Sequence, residues 1–221
     1  MDSEISRNIK AIFERIDRSA RKAQFEPNKI KLVAVSKTKS PSMIKEAYDA
    51  GLRDFGENYA QELRDKSNEL SDLDINWHFI GHLQKNKAKY IAKSANFWQS
   101  LDSFDVASEV NKRLANPIDV LIEVNLGGEA SKTGVSESEL PQLIENLQTL
   151  DKLNVKGLMV VPPYDDDPEK SRPYFKKLNK LAQEFQLKEL SMGMTHDFEV
   201  AIEEGATIVR VGTRVFGERT K

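Results

Sequence analysis

Lys37 ends the run Lys-Leu-Val-Ala-Val-Ser-Lys at residues 31–37, with Thr38 and a Ser40-Pro41 helix start just beyond it. A β-branched, apolar run of this length reads as a buried strand that delivers a lysine at its carboxyl end. Partial burial there disfavours the ammonium form and lowers the pKa of the amine, which makes it a nucleophile for a carbonyl. The competing reading is a solvated lysine that happens to follow a strand. Two distant loops bear on the choice. Ser191-Met192-Gly193-Met194-Thr195 and Arg210-Val211-Gly212-Thr213-Arg214 set small and hydroxylic residues beside glycines, a pattern that lets backbone N–H groups close on an anion. Thr195 also reads as opening a helix, where it would add the positive end of a dipole or serve as a plain N-cap.

Such loops act together only if the chain brings their strands side by side. Apolar or β-branched runs at residues 31–36, 54–56, 77–80, 97–101, 119–126, 156–161, 189–192 and 207–211 predict eight strands. Segments with a 3.6-residue apolar period at 43–50, 59–69, 84–93, 104–114, 137–150, 169–185 and 198–204 predict seven helices between them. Gly51 and Gly205 stand where a helix C-cap needs a left-handed residue, shortly before the next strand. Strict alternation of this kind predicts an α/β fold with a parallel sheet. Eight repeats in 221 residues predict one closed, single-domain (β/α)8 TIM-type barrel, with an open doubly wound sheet as the alternative. Ile5, Ile9, Ile12, Phe13 and Ile16 fall at helical spacing, so residues 1–24 are expected to hold an extra N-terminal helix packed on the barrel. Glu123 and Asn125 interrupt the apolar run 120–126; they either line a site or fill a polar layer of the barrel.

In a closed barrel of this type the site lies at the carboxyl ends of the strands, and phosphate is often held after strands seven and eight. A reactive lysine at strand one and an anion cradle after the last two strands fit a cofactor with an aldehyde at one end and a phosphate at the other. Pyridoxal 5′-phosphate has that shape. Arg210 would then sit near the ring, where an arginine opposing the pyridine nitrogen disfavours its protonation and weakens the ring as an electron sink; alternatively Arg210 pairs with an acid across the barrel. His78 and His82 straddle Gly81 and do not share a helical face, and His196 sits in a loop beside Asp197, so no metal site is expected. Lys85, Lys89 and Lys93 form a basic stripe on the helix after strand three, a solvated face or a dock for an acidic partner.

Composition narrows the partners. With 33 lysines and arginines against 35 acids, a net charge of −2 gives no general attraction to nucleic acid or to anionic lipid. There are no cysteines, which removes thiolate chemistry and disulfides and fits a reducing compartment. The N-terminal segment is polar and acidic rather than basic and then apolar, so a cytoplasmic protein without a membrane segment is expected.

Five motifs occur in order: Ala-Val-Ser-Lys-Thr (34–38), Phe-Gly-Glu-Asn-Tyr (55–59) with Gln61-Glu62, Trp-His-Phe-Ile-Gly-His-Leu-Gln-Lys-Asn-Lys (77–87), Ser-Met-Gly-Met-Thr (191–195) and Val-Arg-Val-Gly-Thr-Arg-Val-Phe-Gly (209–217). Together they resemble the YggS/PROSC family of pyridoxal-phosphate-binding proteins, the pyridoxal phosphate homeostasis proteins. The resemblance covers nearly the whole chain from Lys31. It implies a barrel of the alanine racemase N-terminal type (fold-type III), with pyridoxal phosphate held as a Schiff base on Lys37. It further implies that Asn58 approaches the cofactor, that Arg210 faces the pyridine nitrogen, and that Thr195, Gly212 and Thr213 hold the phosphate. The family usually has serine where Thr195 stands; threonine keeps the hydroxyl.

A racemase on this barrel needs a second acid or base opposite the lysine, which in the racemases comes from a second domain. The expected function is therefore a non-enzymatic carrier in vitamin B6 and amino-acid homeostasis, a monomer with apo-enzymes or a regulatory protein as candidate partners. The alternative is a small racemase or lyase that uses Tyr59 or His82 as its second base.

Overall fold

The computed structural model describes residues 3–128 and 133–218. Its strands are β1 (Lys31–Val35), β2 (Asp54–Glu57), β3 (Asn76–Phe79), β4 (Phe97–Leu101), β5 (Ile118–Glu123), β6 (Leu153–Met159), β7 (Glu189–Ser191) and β8 (Ile208–Val211). Each pairs in parallel with its sequence neighbours, and β8 closes on β1 with Lys31 opposite Ile208 and Ala34 opposite Val211. The closed barrel therefore replaces the open-sheet alternative.

The helices are α1 (Glu4–Lys22), α2 (Pro41–Asp49), α3 (Ala60–Glu69), α4 (Ala88–Ser94), α5 (Phe104–Asn111), α6 (Leu140–Leu147), α7 (Arg172–Glu184), α8 (Phe198–Glu203) and α9 (Thr213–Phe216). Side chains alternate across each strand. Leu32, Ala34, Phe55, Trp98 and Val209 join the large outer core under the helices. Val33, Phe97, Leu121, Met159 and Ile208 form a separate small cluster, which marks the face of β1, β4, β5, β6 and β8 that points inside the barrel. Two residues on from Phe97, Leu121 and Ile208, the same face carries Gln99, Glu123 and Arg210, all buried.

Helix α1 is the predicted extra helix. Ser3 caps it by accepting from the Ser6 amide at 3.1 Å, and Ile5, Ile9, Ile12 and Ile16 are buried against α8, α9 and α2. Phe13 falls beside that stripe rather than on it and stays exposed. Arg15 fastens the helix by donating from Nε to Glu199 Oε1 at 3.1 Å. The expected C-cap glycines also hold: Gly51 and Gly205 take φ of 101° and 96°, where any side chain would be strained.

Boundaries differ from expectation in several places; strand β6, for one, runs Leu153–Met159 rather than 156–161. Residues Lys85–Lys87 form a 3₁₀ turn ahead of α4, so Lys85 lies off the helix and pairs with Asp105 at 3.0 Å, which reduces the basic stripe to Lys89 and Lys93. Strand β5 stops at Glu123, and Val124 only bridges to Val135. Helix α9 was not anticipated, since four residues are too few to show a period.

Candidate cofactor site

The strand carrying Lys37 ends at Val35, and the next three residues are clamped. Ser36 is buried; its amide donates to the Gly56 carbonyl at 2.9 Å and its hydroxyl to Glu57 Oε1 at 2.6 Å. On α3, the buried Lys66 ammonium donates to the Ser36 carbonyl at 2.7 Å, to Glu57 Oε1 at 2.8 Å and to Glu62 Oε1 at 2.7 Å. Glu62 in turn accepts from the Thr38 amide at 2.6 Å. Thr38 holds φ at 65°, a left-handed conformation that costs a β-branched residue on the order of 1–3 kcal/mol. Between these anchors Lys37 is half-buried at the carboxyl end of the barrel, the partial desolvation expected of it. Burial pushes the Glu57 carboxyl up to about 7, against the opposing pull of Lys66 and Ser36.

Asn58 follows β2, and its backbone touches the loop after β3. A Cβ on Gly81 would lie 2.1 Å from the Asn58 carbonyl oxygen. Gly81→Ala is therefore expected to force the two loops apart and cost about 1–3 kcal/mol, read by urea denaturation; wild-type stability would show that the loops yield freely. Asn58 Oδ1 is buried and has no hydrogen-bond partner. Asn58 lines a cavity of about 320 Å³ together with Gly81, His82, Glu123, Asn125 and Thr133. Glu123 accepts from Thr133 Oγ1 at 2.7 Å, and burial raises its carboxyl pKa. Of the two readings for the polar residues of the run 120–126, Glu123 fits both, facing inside the barrel and lining the cavity at its mouth. Asn125 caps the next turn through the Gly128 amide at 3.1 Å. His82 places Nδ1 3.1 Å from Asp102 Oδ2.

The loops after β7 and β8 meet as anticipated, with one change. Thr195 does not open α8; Asp197 is the N-cap residue, and its carboxylate accepts from the Met194 amide at 2.7 Å. Thr195 lies in the turn before it, where its carbonyl accepts from Arg214 Nε at 2.8 Å, tying it to α9. Gly212 precedes α9 and packs on β1, since a Cβ there would sit 3.2 Å from the Val35 carbonyl oxygen. Thr195, Gly212 and Thr213 thus share one rim with the strand that leads to Lys37. The first N–H groups of a helical turn have no partner within it.

Arg210 is buried inside the barrel, donating from Nη1 to Ser191 Oγ at 2.5 Å and from Nη2 to the Val160 carbonyl at 2.9 Å. Burial pulls its pKa down to about 10, partly offset by Glu123 and Asp197, so it stays cationic at neutral pH. Among the described residues no carboxylate reaches it within bonding distance, unlike the cross-barrel pair weighed as its alternative role. The clamp residues Ser36, Glu57 and Lys66 were not foreseen. A glutamate beside a strand and a lysine on a helix carry no signal that they meet.

Residues 8–220 match the family model described as alanine racemase, N-terminal domain. A pyridoxal phosphate homeostasis protein of Aquifex aeolicus is 49% identical over 220 residues, 96% of either chain. The chain belongs to this family. Among solved structures, an unknown protein from Bifidobacterium adolescentis matches with a TM-score of 0.90 at 33% identity, covering 96% of this chain and 94% of that one. PipY of Synechococcus elongatus, solved with PLP bound, matches with a TM-score of 0.81 at 35% identity, covering 93% of this chain and 100% of that one. The family's barrel is thus shared along nearly the full length, with the rim described above at the carboxyl ends of its strands.

Proposed function

We propose that this chain is a single-domain, monomeric, cytoplasmic protein that binds pyridoxal 5′-phosphate and serves its homeostasis without catalytic turnover. Lys37 holds the aldehyde as a Schiff base, Asn58 approaches the cofactor, Arg210 faces the ring nitrogen, and Thr195, Gly212 and Thr213 hold the phosphate. The observation that carries this reading is the convergence on one rim of a half-buried lysine, an orphaned buried Asn58 oxygen and a glycine-walled turn. These residues fit the group: a phosphate needs N–H donors approached closely, and a Cβ at Gly212 would crowd that turn against Val35. PLP bound to the similar PipY and the name of the Aquifex relative support the same ligand.

When bound, the cofactor supplies an aldehyde for an amine and a ring that can accept electron density. Arg210, cationic at neutral pH, disfavours protonation of that ring and so supports a carrier. One observation favours the runner-up, a small racemase or lyase: Asp102 orients His82, whose other nitrogen is left to act as a base.

The experiment mixes protein with pyridoxal phosphate, reduces with borohydride and maps the modified peptide. A yellow complex fixed at Lys37 is expected, and fixation at a different lysine would overturn the site. Incubation with L-amino acids in deuterated buffer separates the two functions. Exchange of the α-hydrogen faster than with free cofactor would sink the carrier reading.

A further inference from the structure

The inside of the barrel holds a polar chain that binding alone does not require. It crosses five strands. Arg210 Nη1 on β8 donates to Ser191 Oγ on β7 at 2.5 Å, and the Ser191 hydroxyl donates to Gln99 Oε1 on β4 at 2.6 Å. Gln99 Nε2 lies 2.7 Å from His78 Nδ1 on β3, and His78 Nε2 lies 2.9 Å from Asp54 Oδ1 on β2. Asp54 sits at the amino end of the barrel, 3.7 Å from Lys31. His78, Gln99, Ser191 and Arg210 are all buried.

The chemistry of the two ends fixes the direction of every bond between them. A guanidinium only donates and a carboxylate only accepts. Ser191, having accepted from Arg210, has one proton to give, and it goes to Gln99. The Gln99 amide then turns its NH₂ toward His78, so Nδ1 is the acceptor and Nε2 carries the proton donated to Asp54. Burial lowers the pKa of His78, which agrees with this neutral form. Each member has one orientation, and reversing any of them would leave a buried donor facing a donor.

We infer that Ser191, Gln99 and His78 are positioning residues that hold the Arg210 guanidinium in one orientation at the cofactor ring, with Asp54 anchoring the chain at the far end of the barrel. The inference rests on the reading of Arg210 given above. Four alternating strand positions are spent on one arginine, where an apolar filling of the same space would serve the fold as well.

The test uses Ser191→Ala, Ser191→Thr and Gln99→Leu in the full chain, each checked for folding by circular dichroism. Three readings are taken: borohydride fixation at Lys37, the position of the visible absorption band, and the rate of pyridoxal phosphate loss to a trapping agent. Ser191→Ala and Gln99→Leu should still be fixed at Lys37, but with a shifted band and cofactor loss about tenfold faster. Ser191→Thr, which keeps the hydroxyl, should restore both. Wild-type band and release rate in folded Ser191→Ala would overturn the positioning role, and that variant alone decides if Gln99→Leu does not fold. Wild-type protein that takes up no cofactor at Lys37 would instead overturn the binding reading on which this one stands.

Discussion

Lys37→Ala is expected to abolish the borohydride-fixed pyridoxal phosphate adduct altogether while leaving the barrel folded. The completeness follows from what the neighbouring lysines are doing. Lys39 Nζ donates to the carbonyls of Phe216, Gly217 and Glu218 at 3.4, 3.1 and 3.0 Å, which only its protonated form satisfies in full. Lys66 is buried with three acceptors, two of them carboxylate oxygens, at 2.7 to 2.8 Å. Both ammonium groups are thus held by acceptors. Lys37 lies past the end of β1, outside both apolar clusters, so its truncation should leave the barrel folded. Intact-mass analysis after reduction gives the result directly. An added cofactor mass on the variant would place the covalent site elsewhere.

The largest loss of stability is expected from Lys66→Met. Its ammonium is the only cation within bonding distance of Glu57 among the described residues, and one Glu57 oxygen already lacks a partner. Removing one member of a buried pair costs about 3–5 kcal/mol, because the remaining charge is left uncompensated. The loss should depend on pH, and its sign follows from Glu57. Its carboxyl is raised from 4.5 to about 7 by burial. A raised carboxyl adds stability that is complete below its unfolded pKa and disappears as pH climbs through about 7. Without Lys66 the ionised form is worse still. The variant should therefore fall further below wild type at pH 8 than at pH 6, measured by urea denaturation, and Glu57→Gln in the same background should recover part of the deficit. An equal loss at both pH values would exclude Glu57 as the group left uncompensated.

The barrel was legible because two periods alternate along the chain, and both depend only on nearest neighbours: two residues for β1 to β8, 3.6 for the helices between them. Segment ends were less legible where a 3₁₀ turn or a single bridge intervenes, as at Lys85 and Val124. The placement of Lys37, Gly212 and Thr213, the residues of the proposed rim, was legible for a similar local reason, since all three stand just past strand ends. The groups that support the rim were not. Ser191 and Gln99 are 92 positions apart and meet only because the sheet closes. A glutamine in a strand reads the same whether it faces solvent or the inside of a barrel. Glu57 and Lys66 are nearer in sequence, yet a strand residue and a helix residue nine positions apart have no fixed geometry until α3 docks.

The seam between β1 and β8 has a consequence for the order of synthesis. The proposed tether comes from the first strand made and the proposed cradle from the last, and the two are joined by four register pairs from Lys31–Ile208 to Ala34–Val211. On the ribosome, a chain that has emerged only as far as β7 displays Lys37 with β2 on one side and no β8 on the other. Retention of the cofactor therefore waits on β8, the strand that slots in and completes the ring.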